Sequence, residues 1–143
     1  MSATIRPVEY FTTTLHDTPE AASQLLSTLA SSGIDLLAFN AIPVGLMATQ
    51  LVLFPQDSER FAVFAKRPGM TVAGPQRAFL IQGDDELGAL ARLHARLADA
   101  SVHPFASTGV TDGRGGFGYI VYVREDEYDV AAEALGVATL AAV

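Results

Sequence analysis

Residues 83–107 read GDDELGALARLHARLADASVHPFAS, and residues 16–40 read HDTPEAASQLLSTLASSGIDLLAFN. At an offset of 68 they align: Asp17 falls over Asp85, Leu25 over Leu93, Leu29 over Leu97 and Ala30 over Ala98. Ile34 then falls over Val102 and Ala38 over Ala106. Outward from this pair the register holds, with Phe11 over Phe79 and Gly45 over Gly113. Beyond the hairpin the offset becomes 67, and Gly69 falls over Gly136. Few residues are identical, but the order of patterns repeats, and a repeated order is the mark of a duplicated structural unit.

Each copy reads strand, helix, strand, turn, strand, helix, strand. In the first, Val8–Leu15 has the Thr and aromatic content of a strand. Asp17, Thr18 and Pro19 give a helix start, with Asp17 and Glu20 at capping-box spacing. Ala22, Leu25, Leu26 and Leu29 share one helical face. Ser31–Gly33 ends that helix. Strands are predicted at Ile34–Ile42 and Leu46–Phe54 around a Pro43–Gly45 turn. Asp57–Lys66 is a short helix with Phe61, Phe64 and Ala65 inward, and Met70–Val72 a last strand. In the second copy, Ala78–Gln82 is a strand, and Asp84, Asp85 and Glu86 place negative charge at the first turn of a helix lined by Leu90, Leu93 and Leu97. Val102–Thr111 and Phe117–Arg124 form a hairpin, Glu125–Leu135 a helix stopped by Gly136, and Val137–Ala142 a strand. The reading is α+β: two ferredoxin-like βαββαβ units, 1–72 and 77–143, joined by a linker at 73–76, each an antiparallel sheet with helices on one face.

Composition narrows the function. Nine basic residues face sixteen acidic ones, a net charge of −7. With no Lys/Arg cluster, this disfavours nucleic acid as a partner. No cysteine is present, so disulfides, thiolate metal sites and Cys nucleophiles are excluded. The uncharged run Leu36–Phe54 approaches the length of a membrane span, but Pro43–Gly45 at its middle reads as a turn between two strands. No secretory signal is visible in MSATIRPVEY, so a cytoplasmic protein is the expectation. Gly113–Gly118 matches G-x-G-x-x-G, yet strands on both sides are the wrong setting for a dinucleotide site. A flexible hairpin or a cover over a ligand is the better reading. His16, Asp17, Asp35 and His103 have metal-ligating chemistry, but their spacing demands no metal, and no cofactor is expected. His94 reads as a boundary or interface residue, and no nucleophile–base set assembles.

The two quoted stretches resemble the ACT-domain family, and the pair resembles a tandem, stand-alone ACT protein. Thr18-Pro19 is similar to the family's x-Pro step, and Gly33-Ile34-Asp35-Leu36 to its Gly-Ile-Asn-Ile step. Leu87-Gly88 keeps the family's Gly at the helix start and Pro19-Glu20 keeps its Pro. The resemblance implies a non-catalytic regulatory protein that binds a small ligand, usually an amino acid, at the strand-one/helix-one loops and the interface between units. On matching positions it nominates Asp17, Thr18 and Asp35 in the first unit, and Asp85, Glu86, Gly88 and His103 in the second. It further implies a homodimer and a regulated enzyme as partner. Two rivals stand beside it. One is an interaction domain without a ligand, which Glu20 and Leu87 favour. The other is a small enzyme on the same scaffold, although acidic loops after both first strands argue against a phosphate substrate.

Overall fold

The computed structural model describes residues 3–16, 18 and 20–137. Six strands and four α-helices follow in the order β1 (Ala3–His16), α1 (Ala21–Ser31), β2 (Leu36–Pro43), β3 (Ala48–Pro55), α2 (Ser58–Phe64), β4 (Ala73–Asp84), α3 (Ala89–Asp99), β5 (Ala106–Thr111), β6 (Gly116–Tyr122) and α4 (Tyr128–Leu135). The fold is α+β, and the strand order is β2-β3-β1-β4-β6-β5. The chain divides into two compact units: residues 9–76 form one, and residues up to Val8 together with those from Arg77 onward form the other.

In the 9–76 unit, β3 pairs antiparallel with β1 (Phe11 opposite Leu53) and with β2 (Phe39 opposite Leu53). The odd-numbered residues Phe11, Leu51 and Leu53 turn to one face, because side chains alternate along a strand. There they join Leu29, Ile34, Phe61 and Phe64 in a buried core. The Phe11 and Phe61 rings lie 4.6 Å apart. The opposite face is also buried, at Tyr10, Val52 and Phe54. This explains why β3 reads as a continuous apolar run rather than an alternating one.

The other unit follows the same plan. β4 pairs with β6 (Phe79 opposite Val121), and β6 with β5 (Ser107 opposite Val121). Phe79, Ile81, Leu93, Leu97, Tyr119, Val121, Tyr128 and Leu135 are the heart of its core. Phe79 stacks on Tyr128 at 4.5 Å, and the Tyr128 hydroxyl donates to the Ala78 carbonyl at 3.2 Å. The β1 end of this unit is residues 3–8, whose Ile5 packs against that core.

Several boundaries differ from expectation. Residues 73–76, expected as a linker, are the opening of β4, while Met70–Val72, expected as a strand, is not one. The reason is packing: Met70 and Val72 fill the core of the 9–76 unit, and the Thr71 carbonyl accepts from the Thr13 hydroxyl at 2.8 Å. Only from Ala73 does the backbone join the sheet. α1 starts at Ala21, with Glu20 as its cap residue and no side-chain cap bond; the partner expected of Glu20 in a capping box is Asp17. Asp17 and Pro19 lie outside the described residues. Asp84, Asp85 and Glu86 precede α3 rather than occupy its first turn, since Gly88 is the cap residue. The helix predicted from Glu125 opens as a 3-10 turn, Glu125–Glu127, before α4. The strand expected at Val137–Ala142 lies, beyond Val137, outside the described residues. Among those described, no helix is long and apolar enough to cross a membrane, and Leu36–Phe54 is the β2–β3 hairpin.

Candidate functional site

A cleft of about 710 Å³ opens in the unit containing Arg77 onward, where the β4–α3 connection meets the β5–β6 hairpin. Asp85, Glu86, Leu87 and Gly88 form one wall with the start of α3. Gly109, Val110 and Thr111 of β5 and Phe117, Gly118 and Tyr119 of β6 form the other. The hairpin geometry brings these together. The Asp85 N–H donates to the Gly115 carbonyl at 2.8 Å, tying the connection to the hairpin tip. The tip is itself fixed by Asp112, whose Oδ1 accepts from the N–H groups of Arg114 (2.7 Å) and Gly116 (3.0 Å). These two bonds, Arg114 first, hold the Asp112 carboxyl below its usual range.

Gly88 sets the approach to α3. Its φ of +82° is a left-handed conformation, which glycine adopts without the steric cost other residues meet. It carries no side chain to cap the helix. By contrast, Asp57 caps α2 by accepting from the Arg60 N–H. The Ala89 N–H turns back to the Glu86 carbonyl at 3.2 Å, and the Arg92 N–H makes the first bond of the ladder, to Gly88, at 3.0 Å. The N–H groups of Leu90 and Ala91 are the second and third of a helix, which have no partner within it. Glu86 pairs with Arg92 at 2.6 Å, while the exposed Asp85 carboxylate has no partner among the described residues. On the facing wall, Gly109 leaves room for Tyr119, since a Cβ there would stand 2.9 Å from its Cδ1. The Tyr119 hydroxyl lies 2.6 Å from His94 Nε2, so His94 supports the cleft wall from behind.

Three of the nominated residues, Asp85, Glu86 and Gly88, therefore share this cleft. His103 does not join them. It lies between α3 and β5, where its N–H donates to Glu127 at 3.3 Å. The cause is topological. α3 carries the chain back along the sheet by roughly 1.5 Å per residue, so β5 starts at the end opposite the cleft and reaches it only at Gly109. The same return along α1 separates Thr18 from Asp35. Thr18 is exposed before α1, its N–H bonded to the His16 carbonyl. Asp35 accepts from the Leu36 N–H and lines a small hollow of about 170 Å³ with Gly33, Gln56, Asp57 and Arg60. Asp17 is outside the described residues. Val110, Phe117, Tyr119 and Arg92 were not nominated. The signal for the first three was the hairpin itself, whose tip must return to the end where α3 begins. Among the described residues no three His, Asp or Glu side chains gather as a metal site.

No family model matches the sequence, and no curated protein matches it significantly. Solved structures do match the fold. Protein BT0572 of Bacteroides thetaiotaomicron superposes with a TM-score of 0.77 at 16% identity, over 94% of this chain and 88% of that one. The regulatory subunit of aspartate kinase from Thermus thermophilus, in ligand-free form, gives 0.65 at 13% identity, over 95% and 96%. The regulatory subunit of aspartate kinase from Thermus flavus gives 0.55 at 11% identity, over 94% of each chain. At these identities the likeness defines the fold, an ACT-like ferredoxin fold.

Proposed function

We propose that this chain is a non-catalytic regulatory protein that binds an amino acid in the cleft between the β4–α3 connection and the β5–β6 hairpin. The observation that carries the reading is the convergence there of an uncapped helix start, an unpaired carboxylate and an apolar wall. The Leu90 and Ala91 N–H groups suit a carboxylate. Asp85 suits an ammonium, which has three donors and no acceptor. Leu87, Leu90, Val110 and Phe117 suit an apolar side chain. The likeness to regulatory subunits of aspartate kinase supports the same class of role, with an enzyme as the regulated partner. Ligand would then shift the chain toward the arrangement that binds it better. A homodimer is part of the reading, because among the described residues β5 has β6 on one side only, and all six residues of β5 are exposed.

Thermal unfolding of the full chain against each of the twenty amino acids tests this. A ligand of the folded state adds about 2.7 kcal/mol at a hundredfold excess over Kd. One amino acid, or a related few, should raise Tm, and Asp85→Asn should abolish the rise. If none raises Tm and calorimetry detects no heat of binding, the reading fails. An interaction domain then becomes the better account, which the 99% exposure of Leu87 favours.

A further inference from the structure

The 9–76 unit contains a second hollow of different chemistry. Three of the nine basic residues of this acidic chain, Arg60, Lys66 and Arg67, fall between positions 60 and 67. Phe61 and Phe64 hold α2 against the core, and Arg60 and Arg67 are left at the surface beside the end of α1. There a hollow of about 330 Å³ is lined by Ser32, Ile34, Arg60, Val63, Phe64 and Arg67. Arg67 Nη2 donates to the Ser32 hydroxyl at 3.0 Å, and its guanidinium lies 4.6 Å from the centre of the Phe64 ring. Arg60 rests against Gly33, where a Cβ would stand 2.9 Å from Nη2.

Neither guanidinium pairs with a carboxylate among the described residues. Arg77, Arg92 and Arg124 each do. The nearby acids are engaged with backbone: Asp57 accepts from the Arg60 N–H at 3.1 Å and Asp35 from the Leu36 N–H at 3.0 Å. Cations near the end of α1 favour its dipole, which accounts for positive charge at this place. It does not account for two planar forks with five donors each, of which the Ser32 hydroxyl uses one.

We propose that the Arg60–Arg67 hollow is a second binding site, for a small carboxylate or phosphate that carries an apolar group. The anion lies between the two guanidinium groups, whose geometry suits bidentate oxygen acceptors. The apolar group lies on Ile34, Val63 and Phe64. This site is independent of the amino-acid cleft, which is built from residues 85–119.

The test is calorimetric titration of the full chain with phenyl phosphate, phenylacetate and inorganic phosphate at constant ionic strength. Phenyl phosphate or phenylacetate should bind, and inorganic phosphate about tenfold more weakly or not at all. Which of the two aromatic anions binds more tightly identifies the phosphate or the carboxylate source. Arg60→Gln and Arg67→Gln should each weaken binding about tenfold or more, as for loss of a hydrogen bond to a charged group. Arg124→Gln, which removes the same charge elsewhere, should leave binding unchanged. Absence of binding by both aromatic anions overturns the proposal, as does equal weakening by all three variants. Equal affinity for inorganic phosphate overturns the role of the apolar floor.

Discussion

At Gly109 the absence of a Cβ decides where an aromatic ring goes. Gly109→Ala places a carbon 2.9 Å from Tyr119 Cδ1, and Tyr119 is buried and bound to His94, so it cannot swing aside freely. Overpacking of this kind costs about 1–3 kcal/mol, and urea unfolding should show that loss with ligand binding weakened alongside. Gly88→Ala should cost roughly 1–2 kcal/mol, the penalty of a left-handed conformation with a Cβ, read in the same way. Asp112 predicts a pH dependence. Its carboxyl is held below its usual value in the folded state, so its contribution is present above the unfolded value, about pH 4, and is lost as pH falls through the folded value. Asp112→Asn should therefore flatten the acid limb of a stability-against-pH curve. That Asp85, Glu86 and Gly88 lie together was legible in the sequence, because they are neighbours in one connection. The places of His103 and Asp35 were not, because they depend on where a helix returns the chain.

Among the described elements, the strands and helices were read in the right order apart from Met70–Val72, which is not a strand, since hydrophobic periodicity persists over many residues. Their ends were read less well. A run such as Asp84-Asp85-Glu86 signals that a helix is near, yet it suits the loop before the helix as well as the first turn. Gly88, with its left-handed backbone, fixes the actual start. The same difficulty hid the role of Ala73–Gln76, where Gly and Pro read as a linker though the backbone is strand. β5 carries a prediction of its own. An edge strand with unpaired backbone groups invites another strand, and Val110 is 71% exposed on it. Light scattering on the full chain should give a dimer mass, and Val110→Lys should shift it toward monomer. A wild-type chain that is monomeric at all concentrations would refute the dimer.

In the molecule as a whole, the repeated order of patterns was legible, but the expected strand Met70–Val72 is not one, the strand expected after Val137 lies outside the described residues, and the membership of each unit was not legible. Both copies carry strand-forming ends, and periodicity does not say which end completes which sheet. The structure places residues up to Val8 with the unit from Arg77 onward. Deleting residues 2–8 should remove a buried Val8 side chain and the packing of Ile5 from that unit. The loss should reach about 2 kcal/mol or more for Val8 burial alone. Hydrogen exchange should show β4–β6 amides losing protection more than those of β2–β3.

That strand also imposes an order on biosynthesis. Ala3–Val8 leaves the ribosome about seventy residues ahead of β4, and such distant pairing is slow because the loop must close first. Residues 9–76 can be complete while the rest is still being translated. The early segment must meanwhile wait, unpaired, for a sheet not yet made. A nascent chain stalled just after Gln76 has emerged should be protease-resistant over residues 9–76 yet cleavable before Val8.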